Sequence, residues 1–268
     1  MKDTKPQVFV AKGSSPWYNT DTYNPWADKN KVTSVDTSVP DKATVTCKDI
    51  TNMGHMFDGC YNLTTLDVSN FDTSNVTNME GMFDNCYNLI SIDLSNFDTS
   101  KATSMAWMFN YCDKLASIDV SNFDTSEVID MKGMFNNCNS LTSLDLSNFN
   151  TSNVTNMAFM FHNCSSLTSL NFNTSNARNM NNMFYHCSNL TSIDLSNFDT
   201  SNAKDMYAMF YDCSNLTTIK GIIDMKSCVD CAGMFINCLN LKDVKIKNPP
   251  ADFESVSGLS KTQYTIVS

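Results

Sequence analysis

Apolar and polar positions alternate over Leu89-Ile90-Ser91-Ile92-Asp93-Leu94-Ser95: Ile92 and Leu94 fall on one side, and Ser91, Asp93 and Ser95 on the other. That is the pattern of a short half-buried strand. Asn96 and Phe97 follow, then Asp98-Thr99-Ser100, whose side chains bond their own backbone and predict a turn. In the preceding unit the apolar positions after the turn are Val76, Met79, Met82 and Phe83. Their three, three and one spacing predicts a short extended piece leading into one helical turn. The unit then restarts. Met-Phe-x-x-Cys recurs eight times, ending at Cys60, Cys86, Cys112, Cys138, Cys164, Cys187, Cys213 and Cys238, at steps of 26 residues apart from one of 23 and one of 25. A unit of this length cannot close a core alone, so each must bury its apolar side against its neighbours, and the chain becomes a stack of coils. Function is then expected on a long face, not in a pocket.

Read down the stack, the repeat predicts internal columns. Asn70, Asn96, Asn122, Asn148 and Asn197 are expected as an inward asparagine ladder that satisfies the backbone of the bend. Phe71, Phe97, Phe123, Phe149, Phe172 and Phe198 are expected as a stacked aromatic column beside them. The eight repeat cysteines read as buried free thiols, since one repeat position places them in one column. Cys228 and Cys231 stand where other units have Val76 and Met79. With Cys238 they suggest a zinc site that lacks a fourth ligand, against which stand a buried pair or a local disulfide. The unit holding Asn171 is three residues short, which predicts an interruption of the strand face between Asp145 and Asp194. Residues 1–46, with Trp17, Trp26 and an echo of the repeat at Val32-Thr33-Ser34-Val35-Asp36, are expected as an N-terminal cap. Residues 47–243 form the repeat body, and 244–268 a C-terminal cap over the open last coil.

Leu63, Leu66, Val68, Asn70 and Phe71 have leucine-rich-repeat spacing. The run Ser-Asn-Phe-Asp-Thr-Ser-Asn-Val-Thr-Asn-Met-x-x-Met-Phe-x-x-Cys at 69–86 closely resembles the BspA-like leucine-rich repeat surface proteins of bacteria and mycoplasmas, over about residues 50–241. The resemblance implies an α/β, right-handed leucine-rich-repeat solenoid of eight to nine coils, with short strands and one short helical turn per coil. It also implies a non-enzymatic cell-surface adhesion or protein-binding module, at the cell surface or secreted. The partners it suggests are a host or matrix protein or a glycan. The start of the chain lacks the apolar core of an export signal, and no cell-wall sorting motif or run of 18 apolar residues is present.

Charge narrows the partners. A net charge of -10 with 18 Lys and Arg argues against nucleic acid and anionic membrane surfaces, and direct membrane insertion is not expected. The strand face displays Asp67, Asp93, Asp119, Asp145 and Asp194 beside Ser95 and Ser121, a candidate binding stripe that turns basic at Lys220, Lys245 and Lys247. Neighbouring carboxylates at ~5 Å in water repel by roughly 0.8 kcal/mol per pair, which a basic partner would offset; a solvated strand face explains the same residues without a ligand. On the turn side, between the two Met of each unit, residue identity varies freely. There Trp107, Tyr111, Phe159, Tyr185, Tyr207 and Tyr211 form an alternative patch for a protein or a sugar ring.

Thr73, Thr99, Thr125, Thr151, Thr174 and Thr200 raise a third possibility, ice binding by a regular hydroxyl column, opposed by the capping that turn threonines perform. Catalysis finds little support. His55, His162 and His186 lie in different units without a fixed nucleophile, and no glycine-rich phosphate loop exists among eight Gly. A methionine copper site is opposed by the lack of His companions to the apolar Met positions. No cofactor and no metal ion are expected.

Overall fold

The computed structural model describes Ser34–Val35, residues 50–69, 71–172, 174 and 176–268. The expected N-terminal cap with Trp17 and Trp26, and also Asn70, lie outside these residues.

The strands are short and parallel, one coil on the next. β1 (Ser34–Val35), β2 (Thr65–Leu66) and β3 (Ser91–Ile92) pair in register, so Ser34 and Val35 of the repeat's echo join the first full coil. β4 (Ser143–Asp145) pairs with β5 (Ser169–Asn171), and β6 (Ser192–Asp194) with β7 (Thr218–Lys220). β8 (Ile223–Asp224), β9 (Val244–Lys247) and β10 (Tyr264–Val267) form a last parallel sheet, with helix α1 (Phe253–Val256) between β9 and β10. Leu66, Leu144, Ile193 and Ile219 turn inward from these strands, while Thr65, Ser143, Ser192 and Thr218 stay exposed. The alternation of the sequence is thus realised as one buried and one wet face.

The strand ladder breaks at places the repeat does not mark. Among the described residues no strand forms at 117–119, and β5 and β6 are not hydrogen-bonded neighbours. The coil three residues short keeps its strand: Asn171 pairs with Asp145, so β5 is in full register with β4 and the ladder breaks on its far side. The acidic column is interrupted there because Asn171 replaces an Asp, not because the strand is lost.

Opposite the strands, a second ladder runs through parallel bridges joining Asn52, Asn78, Ser104, Asp130, Asn156, Asn179, Asp205 and Asp230. The Met-Phe-x-x-Cys segment after each bridge is not the expected helical turn. It is a run of tight turns with two left-handed residues per coil. The first series is His55, Gly81, Trp107, Gly133, Phe159, Asn182, Ala208 and Gly233, with φ between 51° and 66°; the second runs from Gly59 and Asn85 to Asn237. This conformation sends alternate backbone groups to the next coil: the amides of His55, Phe57 and Gly59 donate to the carbonyls of Glu80, Met82 and Asp84 at 2.7–2.8 Å. The amides of Met56, Asp58 and Cys60 close turns within the coil. Every second bond therefore ties neighbours together, which a helix, bonded only to itself, could not do.

Inside, the columns are buried. Phe57, Phe83, Phe109, Phe135, Phe161, Phe184, Phe210 and Phe235 stack ring on ring, with centroids 5.2–5.9 Å apart and planes within 12°. Offset pairs of this kind add about 0.5–1.5 kcal/mol each beyond area burial. The continuous stack is this column. Phe71 to Phe198 are buried too, but their ring contacts are mixed: Phe71 stacks on Phe57 at 6.1 Å and 26°, while Phe172 meets Phe161 and Phe198 edge-on, at 5.6 and 4.8 Å. The repeat cysteines are free thiols in the core; Cys138 Sγ donates to Phe109 O at 3.2 Å and Cys164 Sγ to Phe135 O at 3.0 Å. The pattern continues to Cys238.

Two polar columns differ from expectation. Asn96, Asn122 and Asn148 are exposed residues, not inward ones, although their amides reach the preceding coil: Asn122 Nδ2 donates to Leu94 O at 3.0 Å and Phe97 O at 2.9 Å. A rim amide can satisfy the bend without being buried. Inside the bend sits threonine instead. Thr73 to Thr200 are 1–2% exposed, and Thr73 Oγ1 both donates to Asp98 O and accepts from the Asp98 amide, each at 2.8 Å.

Candidate functional site

The strand-face carboxylates serve the fold. Asp67, Asp93, Asp119, Asp145 and Asp194 each accept, through Oδ1, the backbone N–H two residues on, at Ser69, Ser95, Ser121, Ser147 and Ser196, over 2.9–3.0 Å. Each closes the turn that follows it, at the end of a strand for all but Asp119. The bond to Ser95 holds the Asp93 carboxyl below the usual carboxylate range, and Asp119 and Asp145 are lowered by the same cause at Ser121 and Ser147. Asp93, Asp119, Asp145 and Asp194 are exposed and Asp67 is half-buried. The stripe changes sign where β6 meets β7: Asp194 pairs in register with Lys220, Nζ to Oδ2 3.9 Å, in open solvent. Such a pair contributes little.

The threonine column is removed from consideration as an ice-matching surface. Its members are buried, and Thr99, Thr125 and Thr200 also donate to carbonyls of the next coil, at 2.9–3.0 Å.

The turn side gathers most of its predicted residues into a ridge. Its builder is the first left-handed series, whose neighbours Met and Phe enter the core while the rings of His55, Trp107 and Phe159 stay half-buried at its edge. Consecutive coils there carry His55, Gly81, Trp107, Gly133 and Phe159. The rings lie down across the glycines. A Cβ on Gly133 would fall 2.0 Å from Cε3 of Trp107, and one on Gly81 2.5 Å from Nδ1 of His55. With the glycine bare beneath it, Trp107 reaches over the intervening coil to within 6.2 Å of Phe159, ring centre to ring centre. Lys132 Nζ stands 5.3 Å from the Trp107 ring centre and 5.9 Å from that of Phe159, a cation over two faces.

From Phe159 the ridge continues to His162 (5.6 Å), then to Tyr185 (4.8 Å, 10°) and Tyr211 (4.7 Å, 7°). Burial lowers the pKa of His162, so this imidazole is neutral near pH 7 and acts as one more ring. His186 meets Tyr185 edge-on, and its Nδ1 lies 2.9 Å from Asp212 Oδ2. Tyr111 belongs to a separate group with Tyr87 and Tyr61, joined at 5.8 and 5.4 Å. Tyr207 is exposed on the same side.

Lys132 and the two glycines were not candidates from the sequence, and His162 was weighed there only for catalysis. The available signal was the alternation of ring and glycine at one repeat position. A further group also escaped it: His55, Asp58 and Asp84 bring their donor atoms within 4.8 Å of one another, the only such cluster of three His, Cys or acidic side chains among the described residues. Burial and the Asp58 charge push the Asp84 carboxyl up to about 6, while a hydrogen bond to Asp58 raises His55. Cys228 and Cys231 do not belong to this cluster. A depression lined by Asn153, Arg178 and Lys204 among others is open and polar. No described helix is long and apolar enough to cross a membrane.

These features define a repeat protein of stacked parallel coils with a polar strand face and an aromatic edge. A family described as "Mycoplasma protein of unknown function, DUF285" matches residues 30–142, 90–171 and 142–248, and the chain belongs to that family. No curated protein matches it significantly. Among solved structures it is similar to a T. pallidum leucine-rich repeat protein, with 19% identity, a TM-score of 0.40, and 78% of this chain and 77% of that one covered. It is also similar to a leucine-rich repeat protein from Eubacterium ventriosum, with 17% identity, a TM-score of 0.38, and 92% and 86% covered. A leucine rich cell surface protein from Faecalibacterium prausnitzii has 16% identity and a TM-score of 0.29, with 81% and 77% covered.

Proposed function

We propose that the chain is a non-enzymatic binding module of the BspA-like leucine-rich-repeat type, a right-handed solenoid of eight to nine coils closed by caps at 1–46 and 244–268. It is displayed at the cell surface or secreted, and it adheres to a host or matrix protein or a glycan. The contact surface is the turn-side ridge of Trp107, Phe159, His162, Tyr185 and Tyr211, with Tyr207 beside it. The observation that carries this reading is the unbroken run of ring contacts along one edge, where no core or turn requirement calls for rings. Aromatic faces held in place by their neighbours lose little conformational entropy on binding, and they suit sugar rings and flat protein surfaces alike. The Asp column is the weaker candidate, because its turn-closing role accounts for it without a partner.

The test is a binding screen of the purified chain against extracellular-matrix proteins and a glycan array. It is followed by Trp107→Ala with Phe159→Ala, and separately by the quadruple Asn variant of Asp67, Asp93, Asp119 and Asp145. Loss of binding in the ring variant, with the Asn variant unchanged, is the expected result. The opposite pattern returns the site to the strand face.

A further inference from the structure

His55, Asp58 and Asp84 meet at the junction of two consecutive coils. The first two belong to one coil and Asp84 to the next, and one donor atom of each lies within 4.8 Å of the others. His55 Nδ1 stands 3.5 Å from Asp58 Oδ2. Two ligands held ~2.0–2.1 Å from a zinc ion at the tetrahedral angle are about 3.3 Å apart. This side of the triangle therefore already has the length of a coordination edge. All three residues are half-buried on tight turns bonded coil to coil: the His55 amide donates to Glu80 O at 2.7 Å, and the Gly59 amide to Asp84 O at 2.8 Å. The His55 ring can lie across the second coil because Gly81 beneath it has no Cβ; one there would fall 2.5 Å from Nδ1.

An outer set of amides holds both carboxylates. Asn85 Nδ2 donates to Asp58 Oδ1 at 3.2 Å, and Asn110 Nδ2 to Asp84 Oδ1 at 2.8 Å. Asn110 is itself buried and held in turn, its Oδ1 accepting from Asn136 Nδ2 at 2.7 Å. Donors placed behind ligating carboxylates orient them toward an ion. The fold does not ask for acids here. At the place of Asp58 and Asp84, the following coils carry Asn110, Asn136, His162, Tyr185 and Tyr211.

We propose that His55, Asp58 and Asp84 form a binding site for a divalent first-row transition-metal ion such as zinc. One imidazole and two carboxylates suit Zn²⁺, Co²⁺ or Mn²⁺, whereas Ca²⁺ and Mg²⁺ take oxygen ligands. The ion offsets the repulsion between two half-buried carboxylates and fastens one coil to the next. Three protein ligands leave a fourth position for water or for a donor from a bound partner.

Co²⁺ is the probe, because thiolate ligation adds intense charge-transfer absorption that a nitrogen and oxygen site lacks, and the cysteines are thereby told apart. The intact chain, stripped of metal with a chelator, is expected to bind one Co²⁺ without thiolate bands and to release it to Zn²⁺ but not to Ca²⁺. Asp84→Asn, which keeps an acceptor for Asn110, and His55→Gln should each bind about 100-fold more weakly. His186→Gln, which removes a His and Asp pair at 2.9 Å that has no second acid in the cluster, should titrate as wild type. Absence of wild-type binding, binding with thiolate bands only, or undiminished binding in a folded Asp84→Asn would overturn the proposal. If the variants fail to fold, wild-type amide resonances decide it: those of residues 54–59 and 80–86 should be broadened first by Co²⁺, and earlier broadening elsewhere would overturn the site.

Discussion

Gly133→Ala tests how the ridge is built. The residue has φ +59°, and the same place in other coils is taken by Trp107, Phe159 and Ala208 at 51–59°, so an alanine can adopt the backbone. Its left-handed conformation costs roughly 1–2 kcal/mol. The methyl group, however, would sit 2.0 Å from Cε3 and 2.1 Å from Cζ3 of Trp107, and the indole must leave. It then forfeits the Lys132 cation, about 0.5–1 kcal/mol at a part-exposed ring, and the Phe159 edge, about 0.5–1.5 kcal/mol. Gly233→Ala is the control. It has φ +66°, and the nearest atoms to its new Cβ are at 3.6 and 3.7 Å, ordinary contact. Urea denaturation followed by circular dichroism should show Gly133→Ala losing about 1–2 kcal/mol more than Gly233→Ala. With Trp17 and Trp26 replaced by Phe, so that Trp107 is the only emitter, Gly133→Ala should also shift the emission to the red. Equal losses in the two variants, with unchanged Trp107 emission, would refute the cradle.

Asp84 has a folded-state pKa of about 6, above its ordinary 3.8, so the folded chain binds its proton more tightly. Its contribution is most favourable at low pH and is lost as pH rises from about 4 to about 6. His55, also raised, adds stability that is full below 6.5 and is lost through its own higher value. Asp84→Asn, which keeps an acceptor for Asn110, should flatten that slope in urea titrations between pH 4 and 7 and stabilise by about 1 kcal/mol at pH 7, discounted for partial exposure. Asp93→Asn should leave the melting temperature unchanged or slightly raised, because its amide oxygen still accepts from Ser95. Asp93→Ala should lower it, because the Ser95 amide loses its acceptor; equal melting temperatures for the two would remove the turn-closing role. Thr73→Val conserves shape but strips both partners from the Asp98 backbone, a loss of about 1–3 kcal/mol by denaturant titration.

The interior was readable because its rule is simple. A residue that recurs at one place in the unit meets its copy in the next coil, so Leu, Met, Phe and Cys columns had to share the core, as Phe83, Met82 and Cys86 do. The local path was harder. Spacing of three and one at Met79, Met82 and Phe83 suits a helical turn and a chain of tight turns equally. What separates them is the Gly and Asn at 59, 81, 85, 133 and 137, residue types that accept positive φ. Asn122 misled for another reason: its amide satisfies the bend from outside, so a polar contact did not require a buried residue. Of the candidate surfaces, Trp107, Phe159, Tyr185 and Tyr211 were visible as aromatics. Their joining was not, because it depends on Gly133 and on a His162 that burial keeps neutral.

Alternation of ring and glycine gives this edge a longer period than the scaffold beneath it. The backbone repeats every coil; over the five coils from His55 to Phe159 the side chains that lie flat repeat every second one, with His55 over Gly81 and Trp107 over Gly133. Gain or loss of a single 26-residue unit would leave the core intact yet set a ring against a side chain, or leave a glycine uncovered. Duplication and deletion that preserve this edge must therefore act on pairs of units, so its unit of inheritance is twice its unit of folding.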